Sequence, residues 1–144
     1  MERIIREAAL ADCSAITRLN REEMGYDYPQ EKTFVKLQAC LANPAHRILV
    51  AEWGGEVVGY LHLEEYDVLY AGHMVNVLGI AVSSAWRRQG VGRALLSVGE
   101  AWARSKGAVA VRLVSGEARK GAHAFYQSLG YTGNKLQRNF KKPL

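Results

Sequence analysis

Arg87-Arg88-Gln89-Gly90-Val91-Gly92 stands between an apolar run at residues 74–82, MVNVLGIAV, and residues 90–106, where Val91, Leu95, Val98 and Trp102 recur at helical spacing. A strand that delivers the chain through a glycine-containing basic turn to a helix start makes an anion site. The first amides of a helix have no acceptor one turn back, the helix dipole is positive there, and glycine lets a ligand approach the backbone. Two arginines add charge and planar donor forks, which suits a diphosphate better than a lone carboxylate. A P-loop would need G-x-x-x-x-G-K-[ST], which the chain lacks. A dinucleotide fingerprint would need a third glycine where Leu95 stands, and its glycines would follow the strand directly, whereas residues 83–89 separate Val82 from Gly90 here.

Working outward, residues 3–8 read as a strand, and Asp12 as the N-cap of a helix with Ala15, Ile16 and Leu19 on its apolar stripe. Pro29 opens a second helix with Phe34, Leu37 and Leu41 inward, ended by Asn43-Pro44. Residues 48–52 and 57–64 are strands of a hairpin turning at Trp53-Gly54-Gly55-Glu56. The 74–82 run reads as a strand buried on both sides, with Gly79 marking a bulge or a close backbone approach. After the helix that ends at Gly107 come a strand at 109–114, a helix at 122–129 stopped by Gly130, and a final strand at 136–142. The order β-α-α-β-β-β-α-β-α-β describes an α/β (α+β) mixed sheet with helices on its faces.

The length of 144 residues suits a single domain, 1–144, and 49% hydrophobic with 23% charged residues suits a folded globular chain. No apolar run approaches a membrane span, and the Met-Glu-Arg start carries no signal-type apolar region, so a cytoplasmic location without membrane association is expected. Cys13 and Cys40 have no metal-ligand spacing and read as buried small hydrophobes, with no metal expected. The formal charge of +5 is unevenly distributed: residues 1–72 hold 7 Lys+Arg against 12 Asp+Glu, net −5, and residues 73–144 hold 12 against 2, net +10. A basic half suits an anionic ligand and an acidic half a cationic one. Nucleic acid is not an expected partner, because the chain shows neither a helix-turn-helix pattern nor an aromatic-basic strand.

The hexapeptide resembles the acetyl-CoA signature of the GNAT superfamily of N-acetyltransferases, [QR]-x-x-G-x-[GA], met at Arg87, Gly90 and Gly92. The stretch Ala122-His123-Ala124-Phe125-Tyr126-Gln127-Ser128-Leu129-Gly130-Tyr131 is similar to the family's A-x-x-F-Y-x-x-x-G-[FY] block. The element order also resembles the family's across the whole chain, which implies a mostly antiparallel sheet flanked by about four helices. The resemblance implies acetyl-CoA as co-substrate. Ile80, Ala81 and Val82 would then lie along the pantetheine arm where the fourth strand splays from the next, and Arg87, Arg88, Gln89, Gly90, Val91, Gly92 and Arg93 would lie around the pyrophosphate. Tyr126 falls on the family tyrosine that protonates the departing thiolate. Arg119 replaces a common asparagine and could reach a phosphate. Leu78 replaces the family's strand-four glutamate, and leucine cannot take a proton.

Transfer to an amine needs the neutral amine, although an alkyl amine with a pKa near 10.4 is mostly protonated at neutral pH. His62, Glu64, Glu65, Asp67 and His73 are the groups available to accept the proton, and Glu64 is the expected base, directly or through water. Tyr60, His62 and Glu64 share one face of their strand, opposite Leu61 and Leu63. Phe125 and Tyr126, about 100° apart on a helix, are expected to face core and groove respectively. The acidic aromatic stretch at residues 21–28 and Glu65-Tyr66-Asp67 suit a cationic, amine-bearing acceptor. The reading is an acetyltransferase acting by direct attack, in a chain that could be a homodimer; the alternative, prompted by Leu78, is a non-catalytic acyl-CoA sensor or scaffold.

Overall fold

The protein, seen as a computed structural model, is described at residues 1–133 and 135–144. These fall into two compact units, Met1–Leu113 and Val114–Leu144. In the first, a five-stranded sheet runs in sequence order through β1 (Arg3–Glu7), β2 (His46–Trp53), β3 (Glu56–Tyr66), β4 (Met74–Val82) and β5 (Ala110–Arg112). The first four strands pair antiparallel, and β4 with β5 parallel. Helices α1 (Cys13–Met24) and α2 (Gln30–Leu41) lie on one face, where Ile16, Leu19 and Leu37 meet Ile48, Val50, Tyr60 and Ala81. Helix α3 (Val91–Ser105) covers the other face, its Gly99 against Leu61 and Leu63. The second unit carries α4 (Lys120–Ser128).

The alternation read from the sequence thus sorts side chains correctly in β3, with Tyr60 toward α1 and α2 and Leu61 and Leu63 toward α3. Asp12 stands at the start of α1, but its carboxylate does not cap the helix. It accepts the Ala9 amide at 2.7 Å and both terminal nitrogens of Arg6 at 2.8 and 2.9 Å. Burial alone would raise the Asp12 carboxyl; the bonds from Arg6 and Ala9 outweigh it and hold the pKa below the usual value.

Four expectations need correction. Residues 136–142 form no strand among the described residues; Leu136 and Phe140 stand exposed amid charged neighbours, so no apolar face favours extension there. Phe34 and Val98 are exposed, because each lies at the margin of its helix's apolar stripe while Leu37, and Val91 with Leu95, fill the contact with the sheet. The fully double-sided burial lies in β2 and β3; β4 leaves Leu78 48% exposed, since β5 flanks only its first three residues. The last strand of the first unit is correspondingly short, Ala110–Arg112.

No helix among the described residues is long and apolar enough to cross a membrane. The close crossing of α3 over β3 rests on a missing side chain: a Cβ on Gly99 would come within 2.8 Å of Leu61 Cδ2 and 3.0 Å of Leu63 Cδ1. Gly99→Val is therefore expected to overpack the core and cost roughly 1–3 kcal/mol. A lower urea midpoint at unchanged slope is the expected result, and an unchanged midpoint would contradict the crossing.

Candidate active site

The turn between β4 and α3 is built from alternating backbone hands. A 3-10 turn, Ser84–Trp86, leads to Arg87 in extended conformation, Arg88 in the left-handed region at φ 62° and Gly90 at φ 82°. The first helical bond of α3 runs from the Ala94 amide to the Gly90 carbonyl at 3.0 Å, which leaves the amides of Val91, Gly92 and Arg93 without an acceptor one turn back. A Cβ at Gly90 would meet nothing within 4 Å, so the backbone angle rather than packing requires glycine there. The space beside it stays open. A left-handed arginine costs on the order of 1–3 kcal/mol, and such strain gathers at functional loops.

Glu23, near the end of α1, holds this turn in place. Its Oε2 accepts the Ser84 amide at 3.0 Å and its Oε1 lies 3.6 Å from Arg87 Nη2. Sequence reasoning counted Glu23 with an acidic acceptor surface; the structure turns its largely buried carboxylate to the loop instead. No local pattern announces a contact spanning 61 residues.

Beside the loop, one edge of β4 is open. The parallel ladder consists of Met74 with Ala110, Val75 with Val111 and Asn76 with Arg112, clamped by an Arg112 Nη1 to Asn76 Oδ1 bond of 2.8 Å. Residues 77–82, including Ile80, Ala81 and Val82, are paired only with β3 among the described strands. Their remaining N–H and C=O groups have no strand partner on that side among the described residues, and an extended polar ligand can pair with such an edge. In the same strand the register steps from Leu63 opposite Val77 to His62 opposite Gly79, so Leu78 is the unmatched residue of a bulge. The bulge foreshadowed by Gly79 is therefore present. On the α1 side of Gly79 lie the Tyr60 hydroxyl, which donates to Asn20 Oδ1, and the Met24 methyl. Burial, and then the neighbouring Tyr26, push the Tyr60 phenol up to about 12, so it remains a neutral donor.

The candidate proton acceptors separate into two groups. Glu65, Asp67 and His73 are tied together: His73 Nε2 lies 3.0 Å from Glu65 Oε1, His73 Nδ1 lies 3.7 Å from Asp67, and Lys106 Nζ lies 4.0 Å from Glu65. Glu64 and His62 are on the α1–α2 face. Glu64 Oε2 lies 3.2 Å from His46 Nε2, and His46 Nδ1 lies 2.9 Å from His62 Nε2. Burial, then the adjacent His46, push His62 down to about 4. Of the tyrosines in the acidic stretches, Tyr28 carries Lys36 at 5.9 Å and Tyr66 carries Arg112 at 4.5 Å, whereas Tyr26 is exposed and, among the described residues, covered by no side-chain cation.

In the second unit Arg119 is the N-cap of α4 and Tyr126 lies in its last turns. Tyr126 is buried, with its ring centroid 5.4 Å from that of Phe125 and 6.2 Å from that of Tyr131. Phe125 is the less buried of the pair, opposite to the expected core assignment, because the Tyr131 turn packs on the tyrosine. Burial raises the Tyr126 phenol above its ordinary value, with Arg119 pulling the other way, so the group keeps its proton at neutral pH.

The sequence profile of the acetyltransferase (GNAT) family matches residues 13–131. The chain belongs to the GNAT family. It is 33% identical over 143 residues to the mycothiol acetyltransferase of Salinispora arenicola, a match covering 94% of this chain and 41% of that longer protein. It is 30% identical over 111 residues to an aminoglycoside N(6')-acetyltransferase type 1 of Klebsiella aerogenes, covering 75% and 73% of the two chains. A thialysine N-epsilon-acetyltransferase of Bos taurus is 30% identical over 141 residues, covering 88% and 82%. Among solved structures, the AAC(6')-Iy complex with the bisubstrate analogue CoA-S-monomethyl-acetylneamine superimposes with a TM-score of 0.88 at 16% identity, covering all of both chains, which shows the shared fold. The GNAT loop then yields a direct test. Gly90→Val places a β-branched side chain at a left-handed position in the anion cradle, so CoA affinity is expected to fall at least tenfold by calorimetry while the fold survives. Unchanged affinity would remove residues 87–92 from the site.

Proposed function

We propose that this GNAT-family domain, comprising residues 1–144 and working in the cytoplasm, transfers the acetyl group of acetyl-CoA to a cationic primary amine by direct attack. The observation that carries the reading is the β4–α3 turn, where the strained Arg88, the left-handed Gly90 and the unpaired amides of α3 converge beside the open edge of β4. In this reading Arg87, Arg88, Arg93 and the amides of Gln89, Gly90, Val91 and Gly92 hold the pyrophosphate. The backbone of Ile80, Ala81 and Val82 takes the pantetheine arm, and Arg119 reaches a phosphate. The names of the N(6')- and N-epsilon-acetyltransferases among the relatives support nitrogen as the nucleophile.

The amine attacks the thioester carbonyl, the C–S bond breaks, and acetyl remains on nitrogen. The amine's surplus proton passes to Glu64, whose Oε2 is engaged by His46 and whose Oε1 is the acceptor in this reading. The CoA thiolate takes a proton from the Tyr126 hydroxyl. A thiol near 8.5 and a phenol near 10 make full transfer modestly uphill, which favours assistance as the bond breaks. The raised phenol pKa supports this role, because the acid stays charged with its proton across the neutral range.

Tyr126→Phe keeps the ring, so it is expected to bind CoA normally and to lose roughly 10²-fold in kcat. The sign of the pH effect follows from the raised pKa: wild-type kcat falls on the alkaline side only above the ordinary phenol value of about 10, and the variant lacks that limb. Turnover within a few-fold of wild type would reduce Tyr126 to packing. For the acceptor, thiol release and amide formation with a panel of diamines, aminoglycosides and peptide amines are expected to show a KM that rises with ionic strength, as screening of an acidic face requires. A salt-insensitive, uncharged acceptor would overturn the cationic assignment, and CoA binding without thiol release from any amine would overturn the enzymatic one.

A further inference from the structure

We propose that Cys40, His46 and His62 form a binding site for a single borderline-soft divalent cation, zinc in the first place, set between α2 and the sheet beside Glu64. One ligand atom from each of the three lies within 4.8 Å of the others. The fold brings them together: Cys40 stands in the last turn of α2, His46 opens β2, and His62 lies two register positions from the strand partner of His46, on the same face of β3. Spacing along the chain gives no sign of this, because the three ligands come from a helix and two strands.

The hydrogen positions required by the imidazoles suit a metal. His46 Nε2 lies 3.2 Å from Glu64 Oε2, and the tautomer that carries the proton on that nitrogen leaves the Nδ1 lone pair facing His62. This is the carboxylate–histidine arrangement that orients ligands in metal sites. Two ring nitrogens 2.9 Å apart need a proton or a cation between them. Tetrahedral zinc with bonds of about 2.0–2.3 Å sets its ligand atoms about 3.3–3.6 Å apart, so the imidazoles have to separate by only about half an ångström while the thiol closes in. Binding exchanges the thiol proton for the metal: Cys40–SH and the cation give the metal thiolate and one released proton. One thiolate with two imidazoles selects zinc or its neighbours over magnesium or calcium, and leaves a fourth position for water.

Cobalt titration of the full chain, stripped beforehand with a chelator, reads the site without reference to activity. One equivalent is expected to give tetrahedral visible bands and a thiolate-to-cobalt charge-transfer band, both lost when zinc is added. Cys40→Ala is expected to abolish the charge-transfer band and Cys13→Ala to leave it intact. His46→Gln and His62→Gln are expected to weaken binding roughly tenfold or more, and Glu64→Gln by a similar factor through its hold on His46. Zinc should raise the melting temperature of wild type and not of Cys40→Ala, a comparison that also reports whether the variant folds. Absence of a saturable one-equivalent transition, or a charge-transfer band that survives in Cys40→Ala, would overturn the proposal and leave the two histidines as a proton-sharing pair.

Discussion

Among the described residues three pairs join β4 to β5, and the early end of that ladder shapes the candidate active site. Backbone N–H and C=O groups take whatever partners are at hand, so a strand edge freed over residues 77–82 can pair with an extended polar ligand in place of water. The same strand carries the bulge at Leu78 and ends at the loop that opens α3. Edge, bulge and helix start thus follow one another along a single strand. A β5 paired along the whole of β4 would satisfy the edge internally and close it to a cofactor arm.

The loop at the end of that strand combines strain with anchorage. Arg88 occupies a left-handed conformation that an arginine adopts only at a cost of about 1–3 kcal/mol. The Ser84 amide bond to Glu23 is one contact that resists relaxation of the turn. The Glu23–Arg87 pair adds little, because the arginine is largely solvated and 3.6 Å separates the charges. An arginine held this loosely by one carboxylate is free to exchange it for phosphate oxygens, with which it can form two-pronged bonds.

The order of elements up to α4 was legible in the sequence because strand alternation, helical stripes and glycine stops are local signals, and the hexapeptide at 87–92 read as a candidate anion site from its glycines, its arginines and its place before a helix. Leu78 was legible as a departure, and the structure explains its setting as the unmatched residue of the bulge. What was not legible depends on contacts between distant segments. Glu23 reaches its loop across 61 residues, and His46 meets His62 through a strand pairing. Phe34 and Val98 show that periodicity locates a stripe without fixing its margins. The expected strand at 136–142 rested on two apolar residues four apart, too sparse a pattern to force extension.

The central claim is that the open edge of β4 and the amides opening α3 together receive CoA. Hydrogen exchange measured amide by amide, with and without saturating CoA, tests it most directly. The account predicts new protection concentrated at residues 77–82 and 88–93, with little change in β1 and β2. Protection elsewhere, with those two stretches unaltered at saturation, would contradict it.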